Sequence, residues 1–335
     1  MCGINGVYSK SKEKKLSKIV SEMNDTIYHR GPDDDGVFEE VNNDYSIAMG
    51  MRRLSIIDLN TGKQPIFTED KNKVIVFNGE IYNYKILKSQ LVNLGAEFKT
   101  SSDTEVIIKL YEEYGVDSFG MLDGMFVFSI YDKNLDKVFI ARDFFGEKPL
   151  YYYQQENNLF WASELKSIKN QCGKKLILSK NSISLFFQLT YIPAPHTIYE
   201  NVYKLEANSY IEFDCSENNL ILKKIKDSEF SNQKSYKNIS FNEAKVITKD
   251  LVFDSVRSRS ISDVPIGTFL SGGVDSSIVS YCLSKEIDKK IDTFSIGFKK
   301  KSFDESDKAR IVSKIINSNH HEYIISDKDL IDDAA

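Results

Sequence analysis

Two short stretches of this chain carry residue types that could do chemistry. The first is Cys2. Once Met1 is removed, its thiol and the chain's only free α-amine sit on one residue. An α-amine has a reference pKa of about 7.7–8.0, so near neutral pH it can take a proton from a thiol, directly or through one water. The second stretch is residues 271–277, Ser-Gly-Gly-Val-Asp-Ser-Ser, between an apolar run and a helical pattern. Gly272 and Gly273 let the backbone approach a ligand closely. The hydroxyls of Ser271, Ser276 and Ser277, with the helix N-terminus, offer donors to an anion. Asp275 could hold a Mg²⁺ ion that bridges phosphates. The loop lacks the Lys of GxxxxGK[ST] and the spacing of GxGxxG. A bare Gly-Gly turn would be a capped tight turn and nothing more; three hydroxyls and a carboxylate favour a phosphate cradle.

These residues must be positioned by two different bodies. The first two hundred or so residues are rich in short β runs, at 3–8, 45–57, 74–78, 125–131, 137–143, 150–154 and 159–162. Two helical faces interrupt them, Leu16, Ile19, Val20 and Met23, and Val106, Ile107, Leu110 and Tyr114. Many strands with few helices imply an α+β sandwich. Residues 216–240 are rich in Ser, Asn and Lys and read as a surface strand followed by a linker. Beyond them Asn242 is placed to cap a helix bearing Ala244, Ile247, Leu251 and Val252. Strands at 265–270, 293–297 and 322–326 alternate with helices from 276 and over 305–316, the pattern of a parallel sheet with crossover helices. The expected organisation is a domain over 1–215, a linker over 216–240 and a partial α/β domain over 241–335.

Composition narrows the partners. The chain has 335 residues, 44 basic and 49 acidic, for a net charge of −5. That balance gives no support to nucleic-acid or polybasic membrane binding. No apolar run reaches the ~18 residues of a membrane span, and the first residues lack the pattern of a signal peptide. Cys2, Cys172, Cys215 and Cys282 form no CxxC or metal spacing, so reduced thiols and a cytoplasmic protein are expected.

The start of the chain, Met-Cys-Gly-Ile, resembles the class II glutamine amidotransferases, which use an N-terminal cysteine. Further segments resemble that family in order: HRGPDDDG at 29–36, RRLSIIDL at 52–59, FNGEIYNY at 77–84, SSDTEVII at 101–108, RDFFGEKPLYY at 142–152, ASELKSI at 162–168 and YIPAP at 191–195. The loop at 271–277 resembles the pyrophosphate loop of the ATP pyrophosphatase superfamily. Together the motifs, which span essentially the whole chain, resemble the glutamine-hydrolysing asparagine synthetase family.

The resemblance implies roles for residues. Cys2 is the nucleophile, and Asn78 and Gly79 donate to the oxyanion, although Asn-Gly is also a leading turn signal. The RLSI register selects Arg53 over Arg52 to pair with the α-carboxylate of glutamine, with Leu54, Ser55, Ile56 and Ile57 beside it. Glu80 and Asp103 accept from the α-ammonium, Asp103 doubling as a helix N-cap. Arg30 shapes the loop beside Cys2. In the second domain Leu270, Ser271, Gly272, Gly273, Asp275, Ser276 and Ile296 hold ATP, with Leu270 and Ile296 on the adenine or ribose side. The implied fold of the first domain is the N-terminal-nucleophile sandwich, two antiparallel sheets between helices.

The implied reaction is glutamine-dependent amidation of aspartate to asparagine, with ATP and Mg²⁺ activating the β-carboxylate and AMP and pyrophosphate leaving. A relative that amidates another carboxylate, a sugar acid or a peptide, is the alternative. SGGVDSS argues against the amidotransferases that make glucosamine phosphate or phosphoribosylamine. A homodimer is the assembly considered. The family's second glycine-rich segment and its basic pyrophosphate residues are absent from these 335 residues, so the chain is expected to be a fragment retaining only the glutaminase half.

Overall fold

Alternating apolar residues dominate the first two hundred positions, and they build two antiparallel sheets. The computed structural model describes residues 2–11, 15–226, 239–302, 304–326 and 329. The chain divides into two units, residues 1–232 and 233–335. The strands of the first unit, in chain order, are β1 (Gly3–Ser9), β2 (Asp34–Val41), β3 (Ser46–Arg53), β4 (Ile66–Phe67), β5 (Lys73–Ile81) and β6 (Gly124–Asp132). They continue with β7 (Lys137–Arg142), β8 (Tyr151–Gln155), β9 (Asn158–Ala162), β10 (Val202–Lys204), β11 (Ser209–Asp214) and β12 (Asn219–Lys224). One sheet has the order β10-β8-β9-β1-β3-β2 and the other β12-β11-β7-β6-β5-β4. The helices of this unit are α1 (Leu16–Thr26), α2 (Tyr84–Asn93), α3 (Asp103–Tyr114), α4 (Leu165–Cys172) and α5 (Lys180–Leu189).

The two sheets share one core. Ile4, Tyr8, Met49, Leu159 and Trp161 from the first sheet meet Val76, Val127, Ile140 and Phe213 from the second, all buried. Trp161 crosses the gap: its Nε1–H donates to Ser129 Oγ of β6 at 2.7 Å. Gly6, beside it on β1, leaves that space free, since a Cβ there would lie 2.0 Å from the Trp161 ring. On the opposite face of the first sheet, Val7 and Ala48 pack against Leu16, Val20 and Met23 of α1 and Ile168 of α4. Outside the second sheet, α3 buries Val106, Ile107 and Leu110, and Tyr111 reaches Asp132 at 2.9 Å. Helices thus cover both outer faces.

Some expectations shift. β2 escapes the sequence reading because it is an edge strand with four acidic residues and no fully buried position. β12, the surface strand expected at the head of 216–240, completes the second sheet by pairing with β11 and so belongs to the first unit. The end of that stretch, 227–238, lies outside the described residues. Helix α3 is capped by Ser102, whose side chain accepts from Thr104 N–H, so Asp103 is the first helical residue and not the cap. The Ser102 hydroxyl is the shorter and better-placed acceptor.

In the second unit a parallel sheet runs β13 (Gly267–Phe269), β14 (Asp292–Phe298), β15 (Asn319–Ile325), with α6 (Phe241–Ser258), α7 (Val274–Glu286) and α8 (Ser306–Ile316). Ser240, not Asn242, caps α6, through a capping box with Glu243. The serine has its reciprocal Glu three residues on, which Asn242 lacks. Of the face expected on this helix, Leu251 is exposed, while Ala244, Ile247 and Val252 are half-buried. Among the described residues no helix is long and apolar enough to cross a membrane.

Candidate active site

Cys2 stands immediately before β1, held from three sides. Leu54 N–H donates to Cys2 Sγ at 3.3 Å, and the thiol faces Leu54 O at 3.5 Å. Arg30 Nε donates to the Cys2 carbonyl at 2.8 Å. Burial pushes the Cys2 thiol up, while the Leu54 N–H and the positive charges of Arg53 and Lys148 pull it back. A thiol so placed needs a base to ionise, and its own α-amine is the nearest available by covalent geometry.

Beside it opens a cleft of about 100 Å³, lined by Cys2, Arg53, Leu54, Ile56, Ile57, Asn78, Gly79, Glu80 and Asp103 among others. Ser55 is not in that lining; its backbone N–H donates outward to Asp33 at 2.9 Å. The choice between the two arginines follows from strand geometry, because successive residues face opposite sides. Arg52 turns away, donating to Gly31 O at 2.9 Å and stacking 4.5 Å over the Tyr28 ring. Arg53 turns into the cleft, where one nitrogen holds the carbonyls of Ile57 and Asp58 at 3.0 and 2.7 Å. This folds the 54–62 loop around a guanidinium that faces the ligand space.

The two donors expected to face an oxyanion, Asn78 and Gly79, lie at an interrupted sheet edge. Asn78 and Gly79 lie inside β5, opposite Val127 and Phe126, and not in a turn. Gly79 is required because a Cβ would lie 2.2 Å from Met125 O. Phe126 directs both its backbone groups to Asp143, at 3.2 and 2.9 Å. The Gly79–Phe126 pair is therefore of the non-hydrogen-bonded kind, and Gly79 N–H points away from β6. On that side β4 has already left the sheet. Phe77 N–H takes the Gln64 side-chain oxygen at 2.7 Å, and Ile81 N–H takes Asp103 at 3.1 Å. Between them Gly79 N–H faces the cleft. Next to it Asn78 Nδ2 is buried with no hydrogen-bond partner, a donor that a ligand oxygen would satisfy.

The acidic side of the cleft is Glu80 and Asp103. Burial raises both carboxyls; Asp103, also facing the Glu80 charge, is pushed up to about 6. Lys148 shares the cleft, and sequence reasoning missed it. Its backbone is fixed by Asp143 at 3.0 Å and Arg142 at 2.6 Å. Burial lowers its ammonium, with the Glu80 and Cys2 charges opposing. A lysine in a Gly-Glu-Lys-Pro turn reads as solvated; only the RDFFGEKPLYY motif around it was a signal. Gln64 and Thr104, joined at 3.3 Å, were missed as well and tie the loop to α3.

The second constellation belongs to the other unit. Gly272 has φ +79°, and a Cβ would lie 2.5 Å from Lys308 Cβ, so both conformation and space demand glycine. Ser271 and Ser276 hydroxyls meet at 3.0 Å, and Gly273 N–H donates to Ser271 Oγ at 3.3 Å. Ser277 Oγ is buried without a partner, and Asp275 sits exposed in the first turn of α7. Leu270 is buried, its N–H extending the ladder to Phe294 O at 2.8 Å, so its side chain belongs to the core. Ile296 is 55% exposed, two residues before the end of β14.

Residues 1–224 match the family described as glutamine amidotransferase domain, and residues 248–335 match the one described as asparagine synthase. The chain belongs to the glutamine amidotransferase family, and the fold of its first unit is the N-terminal-nucleophile sandwich. Among curated relatives, a putative asparagine synthetase [glutamine-hydrolyzing] 2 of Methanocaldococcus jannaschii is 40% identical over 98% of this chain and 66% of its own length. Asparagine synthetase [glutamine-hydrolyzing] 1 of Bacillus subtilis is 35% identical over 99% of this chain and 51% of its own. The chain thus spans about half to two thirds of the length of these relatives. A solved B. subtilis glutamine phosphoribosylpyrophosphate amidotransferase shares the fold at a TM-score of 0.50 and 15% identity, covering 96% of this chain and 81% of that one.

Proposed function

We propose that this chain hydrolyses glutamine to glutamate and ammonia at Cys2. The observation that carries the reading is the pair of ligand-free donors, buried Asn78 Nδ2 and the outward-turned Gly79 N–H, in one cleft with Cys2 Sγ. The α-amine takes the thiol proton and the thiolate attacks the carboxamide carbon. Asn78 and Gly79 hold the oxygen as it becomes negative. The α-amine returns the proton to the leaving nitrogen, and ammonia departs. Water then attacks the glutamyl thioester, releasing glutamate and restoring the thiol. Arg53 pairs with the substrate α-carboxylate, with Leu54, Ile56 and Ile57 walling its side; Glu80 and Asp103 receive the α-ammonium.

In a longer protein that carries the remainder of the synthetase domain, the ammonia would serve ATP-dependent amidation of the aspartate β-carboxylate to give asparagine. ATP supplies the activating AMP group when bound. Ser271, Gly272, Gly273, Ser276 and Ser277 fit its phosphates, since the loop offers a close-packed glycine, a helix N-terminus and an unsatisfied hydroxyl. Among the described residues no group of three or more His, Cys, Asp or Glu could hold a metal ion. Asp275, exposed in the first turn of α7 beside this loop, is the residue that would hold Mg²⁺ when the nucleotide is bound, since that ion takes one or two carboxylates with phosphates. Four cysteines with no CxxC or metal spacing suit a reducing cytoplasm.

The test is glutamate release by the chain with Met1 removed, against Cys2→Ala. We expect at least about a thousandfold loss in the variant; equal release by the two would sink the assignment.

A further inference from the structure

The Cys2 carbonyl is held by one side chain, and that side chain is itself held. Arg30 is buried; its Nε donates to Cys2 O at 2.8 Å and its Nη1 to Glu164 Oε1 at 3.1 Å. Glu164 occupies the N-cap position of α4 with extended backbone, φ −131° and ψ 139°, yet its side chain makes no cap hydrogen bond. An N-cap carboxylate would ordinarily accept from its own helix. This one instead accepts from Arg30, from His29 Nε2 at 2.8 Å and from Lys166 at 3.1 Å. The residue before it, Ser163, exchanges hydrogen bonds with Ile4, accepting at its Oγ from Ile4 N–H at 2.9 Å and donating its own N–H to Ile4 O at 2.8 Å. The end of β9 therefore runs beside the start of β1 and delivers Glu164 to the nucleophile's neighbourhood.

We propose that Glu164 is a positioning residue, which fixes the Arg30 guanidinium and thereby the carbonyl, backbone torsion and thiol direction of Cys2. The inference rests on the reading of Cys2 as the nucleophile. A long guanidinium has several rotamers, and one hydrogen bond to a carbonyl does not choose among them. The second, charge-assisted bond to Glu164 does. With Arg30 fixed, the Cys2 carbonyl cannot rotate, and Sγ stays within reach of Leu54 N–H. Burial pushes the Glu164 carboxyl up, but hydrogen bonds from His29, Arg30 and Lys166 outweigh it and hold it below the usual range, so it is an anion at neutral pH. Arg30 Nη2, buried and unpartnered, keeps no alternative anchor of its own.

The experiment uses the 335-residue chain with Met1 removed and the variants Glu164→Gln, Glu164→Asp, Arg30→Gln and Glu164→Gln/Arg30→Gln. Glu164→Gln should lower kcat for glutamate release about tenfold, with KM for glutamine changed less than about twofold. In the double variant the loss should equal that of Arg30→Gln alone, because Glu164 acts only through Arg30. Multiplying losses, or a kcat for Glu164→Gln within about twofold of the parent, would overturn the proposal. Glu164→Asp keeps the charge and shortens the reach, so an intermediate loss is expected and supplies the measurement if Glu164→Gln does not fold. Alkylation of Cys2 by iodoacetamide, read by peptide mass, needs no turnover, and the other three cysteines are buried. It should slow about threefold in Glu164→Gln as the thiolate loses its Leu54 donor; an unchanged rate would also overturn the proposal. Absent glutamate release by the parent chain would strike the proposed function, while the alkylation rates would still decide the role of Glu164.

Discussion

Asp103 is a residue at which binding and stability oppose each other. Its carboxyl is pushed up to about 6 by burial and by Glu80, above the ~3.9 of an unfolded chain. The folded state thus holds this proton more tightly than the unfolded state. The resulting stabilisation is complete below about pH 4 and is lost as pH rises through about 6. At neutral pH the site carries a buried charge waiting for an ammonium. Asp103→Asn should therefore raise Tm at neutral pH by about 2–4 °C and raise KM for glutamine about tenfold. In the parent protein KM should climb as pH falls through about 6; a KM flat across that range would remove Asp103 from the substrate site. At this scale the sequence was informative where a motif fixed the register, as for Arg53 over Arg52. It was silent on Lys148, because nothing local to a Gly-Glu-Lys-Pro turn says that its amine is folded inward. It misassigned the cap of α3, since serine and aspartate are near-equal caps and only backbone geometry separates them.

The elements show how one missing side chain organises a sheet. Trp161 fills the space above Gly6 and is anchored to the other sheet by Ser129, so it cannot retreat. Gly6→Ala should destabilise the first unit by about 1–3 kcal/mol, seen as a lowered thermal midpoint; an unchanged midpoint would show that the sheets can part at little cost. The sandwich was legible because its strands alternate between a shared inner core and helix-covered outer faces. β2 was not, since an edge strand rich in Asp and Glu has no buried face to announce it. Asn78-Gly79 misled in the other direction. The pair favours turns in isolation, yet here a strand imposes it, because β6 leaves no room for a Cβ at Gly79.

At the scale of the molecule the two units differ in completeness of packing. The two clusters described above lie in the first unit, while among the described residues of the second Leu270, Leu283, Ile291 and Ala309 are buried. In the second, a three-stranded parallel sheet leaves Phe269 83% and Tyr323 62% exposed, although parallel sheets are ordinarily covered on both faces. The relatives that share both domains are longer. We therefore predict that residues 1–226 alone release glutamate at the rate of the whole chain. The 335 residues, given aspartate, ATP and glutamine, should form no asparagine detectable by chromatography. Asparagine formation by this chain, or a shorter piece without glutaminase activity, would contradict the division of labour. The order of motifs made the two-domain plan legible, and the surface strand read at the head of 216–240 is β12, mostly exposed as a polar edge strand should be.

The early departure of β4 has one more consequence. Beyond Ile75, where the pairing with Ile66 ends, β5 has no neighbouring strand on that side, and Gln64 fills only one rung with its side chain. A carboxamide oxygen on Gly79 N–H would occupy the next rung, where a carbonyl of an adjoining strand would otherwise stand. The substrate is then a transient piece of the fold, completing the ladder for one catalytic cycle. On that reading, a molecule that offers a backbone-like carbonyl to Gly79 N–H should compete with glutamine, as should one that imitates glutamine itself.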